Sequence, residues 1–139
     1  MSDLCGMSAP RLSRRSPAIA LQTPEGLLSA IHAKGSYLCV GLDPDPAKIP
    51  VSFGAGVEGM EAFCLAMVQA TLHVAVAYKP NLAFFEQYGA AGWAALERVV
   101  EQIPSDVLVI ADAKRGDIGN TATRYARAVF EGLGADALA

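Results

Sequence analysis

The chain alternates between short, continuously apolar runs and longer segments whose apolar residues recur every three or four positions. Three of the apolar runs have the length and composition of buried strands: SYLCVGLD (residues 36–43), VAVAYKPN (74–81) and VLVIADAK (107–114). The segment ADALA (135–139) has the character of a beginning fourth strand. Because wholly apolar strands alternate with helical segments, the pattern predicts an α/β fold with a parallel sheet covered on both faces.

Capping residues indicate where the helices begin and end. Thr23 can cap a first helix, and Gly35 can end it in the left-handed conformation. The last helix begins near Asn120 or Thr121, either of which can cap it, and ends before Gly134. Its core-facing positions are expected to be Tyr125, Ala128, Val129 and Leu133. Further helices are expected over about residues 58–71, 83–89 and 96–103.

The first 22 residues, MSDLCGMSAPRLSRRSPAIALQ, differ from the rest because they show no apolar periodicity. They lack the apolar central region of a secretory signal, and their Arg and Ser content leaves an organelle-targeting peptide as an alternative. We expect residues 1–22 to be a disordered tail or an over-long start of the reading frame. Residues 23–139 are then expected to form one globular domain.

Composition narrows the class of protein. The chain has 139 residues, 53% of them hydrophobic, and a net charge of −3, so it lacks the basic excess of a nucleic-acid-binding protein. No apolar run approaches the ~18 residues of a membrane span. The cysteines Cys5, Cys39 and Cys64 share no metal-like spacing, and Cys39 lies in an apolar run as a small core residue would. This cysteine usage favours a reducing cytoplasm.

Charged residues cluster where the predicted strands end. Asp43 follows the first strand, Lys79 ends the second, and Asp112 and Lys114 end the third. In a parallel α/β sheet these carboxyl ends lie on the ligand-binding edge, so the four charges should converge. Asp112, Lys114 and Asp117 lie within six residues, a density that indicates either a catalytic site or a structural salt-bridge network.

Three separated motifs, CVGLDPDP, AYKPNLAFFEQYG and IADAKRGDIGNTA, resemble those of the orotidine 5′-phosphate decarboxylases, specifically the longer bacterial branch. The resemblance extends from about Ser29 to the last residue. It implies a (β/α)8 barrel, of which this chain holds the first half, about three and a half β/α units. It also implies decarboxylation of orotidine 5′-phosphate to UMP and CO2 in pyrimidine biosynthesis, without a metal or an organic cofactor.

The resemblance assigns roles to the charges at the strand ends. Asp43 would bind a ribose hydroxyl of the substrate. Lys79 would hold the ribose and position Asp112. Lys114 would protonate C6 of the pyrimidine as CO2 leaves, and the alternation of Asp and Lys would keep each group ionised.

The resemblance also implies a homodimer with active sites at the subunit interface. Asp117 would reach into the neighbouring subunit's site. Ile118 and Thr121 match the same motif and would contribute to substrate binding, with Thr121 near the partner's ribose.

This chain is shorter than the family's pattern requires, since such barrels typically need ~250 residues and bind phosphate with the loops after strands seven and eight. We therefore expect a truncated reading frame or a partial sequence. Two alternatives stay open: a related metal-dependent sugar-phosphate decarboxylase or aldolase, and a truncated, non-catalytic nucleotide-binding chain. Among the remaining polar residues, we expect Arg115 and Lys48 to be surface charges, and His32 and His73 to be structural or exposed.

Overall fold

The computed structural model describes Arg15 and residues 18–139 of the chain. In this part the strands are β1 (Leu38–Leu42), β2 (Ala75–Pro80), β3 (Leu108–Ala111) and β4 (Ala137–Leu138). The helices are α1 (Pro24–Lys34), α2 (Gly56–Thr71), α3 (Leu82–Glu86), α4 (Gly89–Glu101) and α5 (Gly119–Ala126), and α5 continues as a π-helix over Arg127–Leu133. Short 3₁₀ turns cover Ile19–Gln22 and Val51–Phe53.

The four strands form a parallel sheet in the order β1-β2-β3-β4. Each of the first three strands is followed in the chain by a helix that returns to the amino end of the next strand, as parallel pairing requires. This arrangement confirms the predicted α/β class, and its sequential parallel order is the one that the first half of a (β/α)8 barrel would have. All carboxyl ends of the strands therefore lie on one edge of the sheet.

The helix ends follow local sequence signals in most places. The Thr23 side chain accepts a hydrogen bond from the Gly26 N–H at 3.1 Å, and Gly35 ends α1 in the left-handed region at φ 60°. The predicted cap of the last helix is wrong, because Ile118 occupies the cap position and no side chain bonds there. Of the four predicted core-facing positions on this helix only two are buried, Val129 and Leu133.

The core lies between the sheet and helices α2, α3 and α4. Its largest fully buried side chains include Tyr78, Phe85 and Met60. Gly92 lets α4 approach α3 closely, since a Cβ at this position would overlap the Phe85 carbonyl. The prediction of Cys39 as a core residue is wrong, because alternate side chains of β1 are exposed and Cys39 is one of them.

The amino-terminal segment departs from the expected tail. Most of residues 1–22 lie outside the described residues, but Arg15 is buried and Ile19–Gln22 form a 3₁₀ turn. The Arg15 guanidinium pairs with Asp136 at 2.9 Å, just before β4. The described end of this segment is thus packed on the sheet rather than free, and ion pairing is the physical reason. No helix in the described part of the chain has the length and apolar character to cross a membrane.

Candidate active site

Backbone hydrogen bonds continue past the strand ends and fix the loops that carry the site. The Asn81 N–H donates to the Leu42 carbonyl at 3.0 Å, and the Asp112 N–H donates to the Pro80 carbonyl at 3.0 Å. The Leu82 N–H then donates to the Asp112 carbonyl at 3.0 Å. The carboxyl ends of β1, β2 and β3 are therefore held together at one edge of the sheet.

One carboxylate at this edge joins two ammonium groups. Asp112 Oδ2 accepts from Lys79 Nζ at 3.0 Å, and Asp112 Oδ1 accepts from Lys114 Nζ at 2.5 Å. The Asp112 side chain is 16% exposed, whereas the Lys114 side chain is 82% exposed. We call Asp112, Lys79 and Lys114 the Asp112 cluster. Its outer member, Lys114, presents a cation to solvent while its inner members are partly enclosed.

The charges in the cluster stabilise one another. Hydrogen bonds from Lys114 and then Lys79 hold the pKa of Asp112 below its usual range. The hydrogen bond to Asp112 in turn raises the pKa of Lys79, and the nearby charge of Asp43 adds to that effect. The carboxylate and the Lys79 ammonium are therefore both ionised at neutral pH.

Lys114 has an unusual backbone. Its φ of 53° is the one positive value among the non-glycine residues that the structure describes. A residue with a Cβ in this region costs about 1–3 kcal/mol, and such strain concentrates at functional sites. The Lys114 N–H is held by the Ala139 carbonyl at 3.3 Å, so the end of the β4 segment supports this conformation.

Asn81 connects the cluster to the end of β1, a role that the sequence reading did not assign. Its Nδ2 donates to Asp43 Oδ2 at 3.2 Å, while its Oδ1 accepts from the Ala83 N–H at 3.2 Å and caps α3. A polar residue directly after Lys79-Pro80 was the available signal. Asp43 is thereby oriented at the same edge without contacting Asp112 directly.

Arg115 also differs from its expected role as a surface charge. Its guanidinium contacts the Glu86 carboxylate and donates to the Ala113 carbonyl at 2.9 Å. It also lies over the Tyr125 ring, 5.6 Å from the centroid. The prediction held for Lys48, whose exposed ammonium pairs with Asp45 at 3.2 Å.

The remaining predicted site residues lie beyond the cluster. Asp117 accepts a hydrogen bond from the adjacent Ile118 N–H at 2.8 Å, and both residues are exposed. Ile118 is 86% exposed, which is high for a branched apolar side chain, and Thr121 is also exposed. These three residues form an outward-facing extension of the loop.

A pocket of ≈ 440 Å³ opens beside the cluster. Asp43 and Lys79 contribute its polar wall, and Phe63 and Met67 of α2 contribute its apolar wall. A concave space with a few convergent polar groups is the usual form of a small-molecule site. Within the described residues, no group of three or more His, Cys, Asp or Glu side chains is arranged to hold a metal ion.

Comparison with known proteins identifies relatives of this chain. The family model described as "Orotidine 5'-phosphate decarboxylase / HUMPS family" matches residues 36–139. A curated orotidine 5′-phosphate decarboxylase from Roseiflexus castenholzii is 54% identical over 114 residues, covering 82% of this chain and 42% of the relative. One from Herpetosiphon aurantiacus is 47% identical over 110 residues, covering 79% and 41%.

Solved structures give the same picture. The OMP decarboxylase of Leishmania donovani matches with a TM-score of 0.68 and 39% identity, covering 81% of this chain and 42% of that one. This chain therefore spans about two fifths of the length of the curated relatives it matches.

Proposed function

Because the chain belongs to the orotidine 5′-phosphate decarboxylase / HUMPS family, we propose that it supplies the catalytic charges for decarboxylation of orotidine 5′-phosphate to UMP and CO2. The observation that carries the proposal is the single Asp112 carboxylate shared by Lys79 and Lys114 at the carboxyl edge of a parallel sheet. The relatives' names supply the substrate.

The chemistry requires a positive charge beside C6 of the pyrimidine. When the bond between C6 and the carboxylate breaks, its electron pair stays on C6 and CO2 leaves. The Lys114 ammonium stabilises the developing negative charge and then transfers a proton from Nζ to C6. Solvent returns the proton to the amine. Asp112 keeps Lys114 near the reacting atom, and the ammonium makes a metal or organic cofactor unnecessary in this scheme.

Substrate binding is assigned to the groups around the pocket. Asp43 accepts a hydrogen bond from a ribose hydroxyl, and Lys79 contacts the ribose while holding Asp112. Support comes from their shared position on the wall of the ≈ 440 Å³ pocket. Hydrogen bonds in which one partner is ionised are stronger than neutral ones, so a carboxylate and an ammonium are suited to binding sugar hydroxyls.

We also propose a homodimer in which Asp117, Ile118 and Thr121 extend into the partner's site. Two exposed apolar side chains support this: Ile118, just before α5, and the partly exposed Phe130, in the π-helix that continues α5. Exposed apolar side chains mark protein interfaces where they form a contiguous patch rimmed by polar residues. The Ile118→Asp variant should shift the protein toward monomer in sedimentation, whereas Val51→Asp, at an even more exposed apolar position, should not.

The function is tested by release of CO2 from orotidine 5′-phosphate labelled at the carboxylate. Since the relatives are longer, the assay is run on the 139-residue chain and on this chain fused to the second part of the Roseiflexus castenholzii relative. We expect turnover in at least one of these two preparations. Lys114→Ala should abolish that turnover, and chelators should leave it unchanged.

Lys48→Ala is the matched control because Lys48 also pairs with an aspartate and its side chain is 83% exposed, compared with 82% for Lys114. It should retain the unmodified rate. Equal turnover in the Lys114→Ala and Lys48→Ala variants would contradict the proton-donor role. A rate that depends on added divalent metal would favour the related sugar-phosphate enzymes.

A further inference from the structure

We propose that Arg115 is a positioning residue that holds Lys114 in its catalytic conformation. The proposal rests on the proposed function for its kinetic consequences, but its structural content is independent of any activity. Arg115 lies in the loop after β3, directly after Lys114. Its guanidinium contacts three groups outside the Asp112 cluster: the Glu86 carboxylate, the Ala113 carbonyl and the Tyr125 ring.

The contact with Ala113 closes a small ring of atoms around Lys114. Arg115 Nη1 donates to the Ala113 carbonyl at 2.9 Å, so the residues on both sides of Lys114 are tied to each other. Lys114 is the described non-glycine residue with a positive φ, at 53°. A strained conformation persists only when its surroundings hold it. The Arg115 hydrogen bond is one such restraint, and the Ala139 carbonyl provides another.

The contact with Glu86 anchors the loop to the helix that Asn81 caps. Glu86 is the last residue of α3, whose amino end is capped by Asn81, and Asn81 also holds Asp43. Both partners are partly buried, with side-chain exposures of 28% for Arg115 and 34% for Glu86. The planar guanidinium can bind a carboxylate and stack on a ring at the same time, whereas a lysine ammonium has no such geometry.

These contacts give Arg115 a defined effect on the Asp112 cluster. If the loop relaxes, the Lys114 ammonium no longer stays 2.5 Å from Asp112 Oδ1. Asp112 would then keep only the hydrogen bond from Lys79, at 3.0 Å. The titratable groups that face Asp112 are Lys79 from β2 and Lys114 from its own loop, and Lys79 in turn is faced by Asp43, after β1, and Cys39, of β1.

The first readout is the titration of the Asp112 carboxyl carbon, followed by NMR in the full 139-residue chain. The variants are Arg115→Met, which removes the guanidinium, and Arg115→Lys, which keeps only the charge. Arg98→Met is the matched control, because Arg98 forms a two-point ion pair with Glu61, on the α2–α4 contact. We expect the pKa of Asp112 to rise in Arg115→Met and Arg115→Lys and to stay unchanged in Arg98→Met.

The second readout is the kinetics of whichever preparation decarboxylates orotidine 5′-phosphate. We expect kcat to fall about 100-fold in Arg115→Met, the typical effect of an ångström-scale misplacement, with little change in KM. If no preparation of the unmodified protein decarboxylates orotidine 5′-phosphate, the proposed function is refuted. The titration of Asp112 would then still decide the role of Arg115.

Glu86→Gln provides a second test should Arg115→Met fail to fold. It removes the carboxylate anchor but leaves the guanidinium in place, and it should move the Asp112 pKa in the same direction by a smaller amount. An Asp112 titration in Arg115→Met and Glu86→Gln that is the same as in Arg98→Met would overturn the proposal.

Discussion

Removal of the buried ion pair between Arg15 and Asp136 should cost a large share of the protein's stability. The two side chains are 2% and 0% exposed, and their charged atoms lie 2.9 Å apart. Arg15 also donates to the carbonyls of Ile103, Val107 and Gly134 at 3.0, 2.6 and 2.9 Å. These carbonyls lie near the ends of α4 and the last helix and at the start of β3, so one guanidinium joins three elements.

The magnitude follows from leaving a partner buried and uncompensated. Breaking a buried pair by removing one member typically costs about 3–5 kcal/mol, compared with about 5–15 kcal/mol for the stability of a whole domain. Asp136 would keep the hydrogen bonds from the Ala18 and Val109 N–H groups, at 2.5 and 2.8 Å. Those bonds keep the loss from exceeding the typical range, so we expect Arg15→Met to lower the free energy of unfolding by about 3–5 kcal/mol.

Urea unfolding followed by circular dichroism measures this loss, with Arg98→Met as the control. The Arg98–Glu61 pair is far more exposed on its arginine side, so its removal should cost about 0.2–1 kcal/mol. The double variant Arg15→Met/Asp136→Asn should lose less than the two single losses together, because the residues contact each other. If Arg15→Met lowers the free energy of unfolding by no more than Arg98→Met does, the docking of the amino-terminal segment is wrong.

Three further predictions concern the core, a thiol and the cluster. Gly92→Ala should destabilise the protein by about 1–3 kcal/mol, because the added methyl overlaps the Phe85 carbonyl; a shift of less than 0.5 kcal/mol in urea unfolding, roughly the usual surface effect, would contradict that contact. Burial and then the charge of a neighbouring glutamate raise the pKa of Cys64 to about 12. In a Cys5→Ser background, Cys64 should therefore resist thiol reagents at pH 8 until the protein unfolds, whereas the exposed Cys39 should react first. The two lysine ammonium groups lower the pKa of Asp112. The contribution of Asp112 to stability should therefore be complete above its ordinary pKa of about 3.9 and should be lost as the pH falls through the lowered value. The free energy of unfolding of Asp112→Asn should depend less on pH in that range, and an unchanged pH profile would refute the pairing.

Much of the fold was predictable because its signals are local. Continuous apolar runs marked the strands, and Thr23 and Gly35 marked the ends of α1. The position of Asp112 directly after β3 was sufficient to place it at the ligand-binding edge. Parallel pairing then brought Lys79 to it, as the strand-end pattern predicted.

The features that were missed depend on contacts between distant parts of the chain. Arg15 lacks any periodic surroundings, and its partner Asp136 lies near the other end of the sequence. Arg115 has the sequence appearance of a solvated charge, since Glu86 and Tyr125 become its neighbours only when α3 and α5 are in place. Cys39 lies in an apolar run, yet alternation along β1 exposes it.

Proton NMR of orotidine 5′-phosphate incubated with the protein in D2O gives the sharpest test of the proposed proton transfer from Lys114 to C6 beside Asp112. We expect UMP that carries deuterium at C6, so that its H5 signal loses the coupling to H6, and we expect no UMP from Lys114→Ala. UMP formed at an undiminished rate by Lys114→Ala would refute the role of Lys114 as the proton donor.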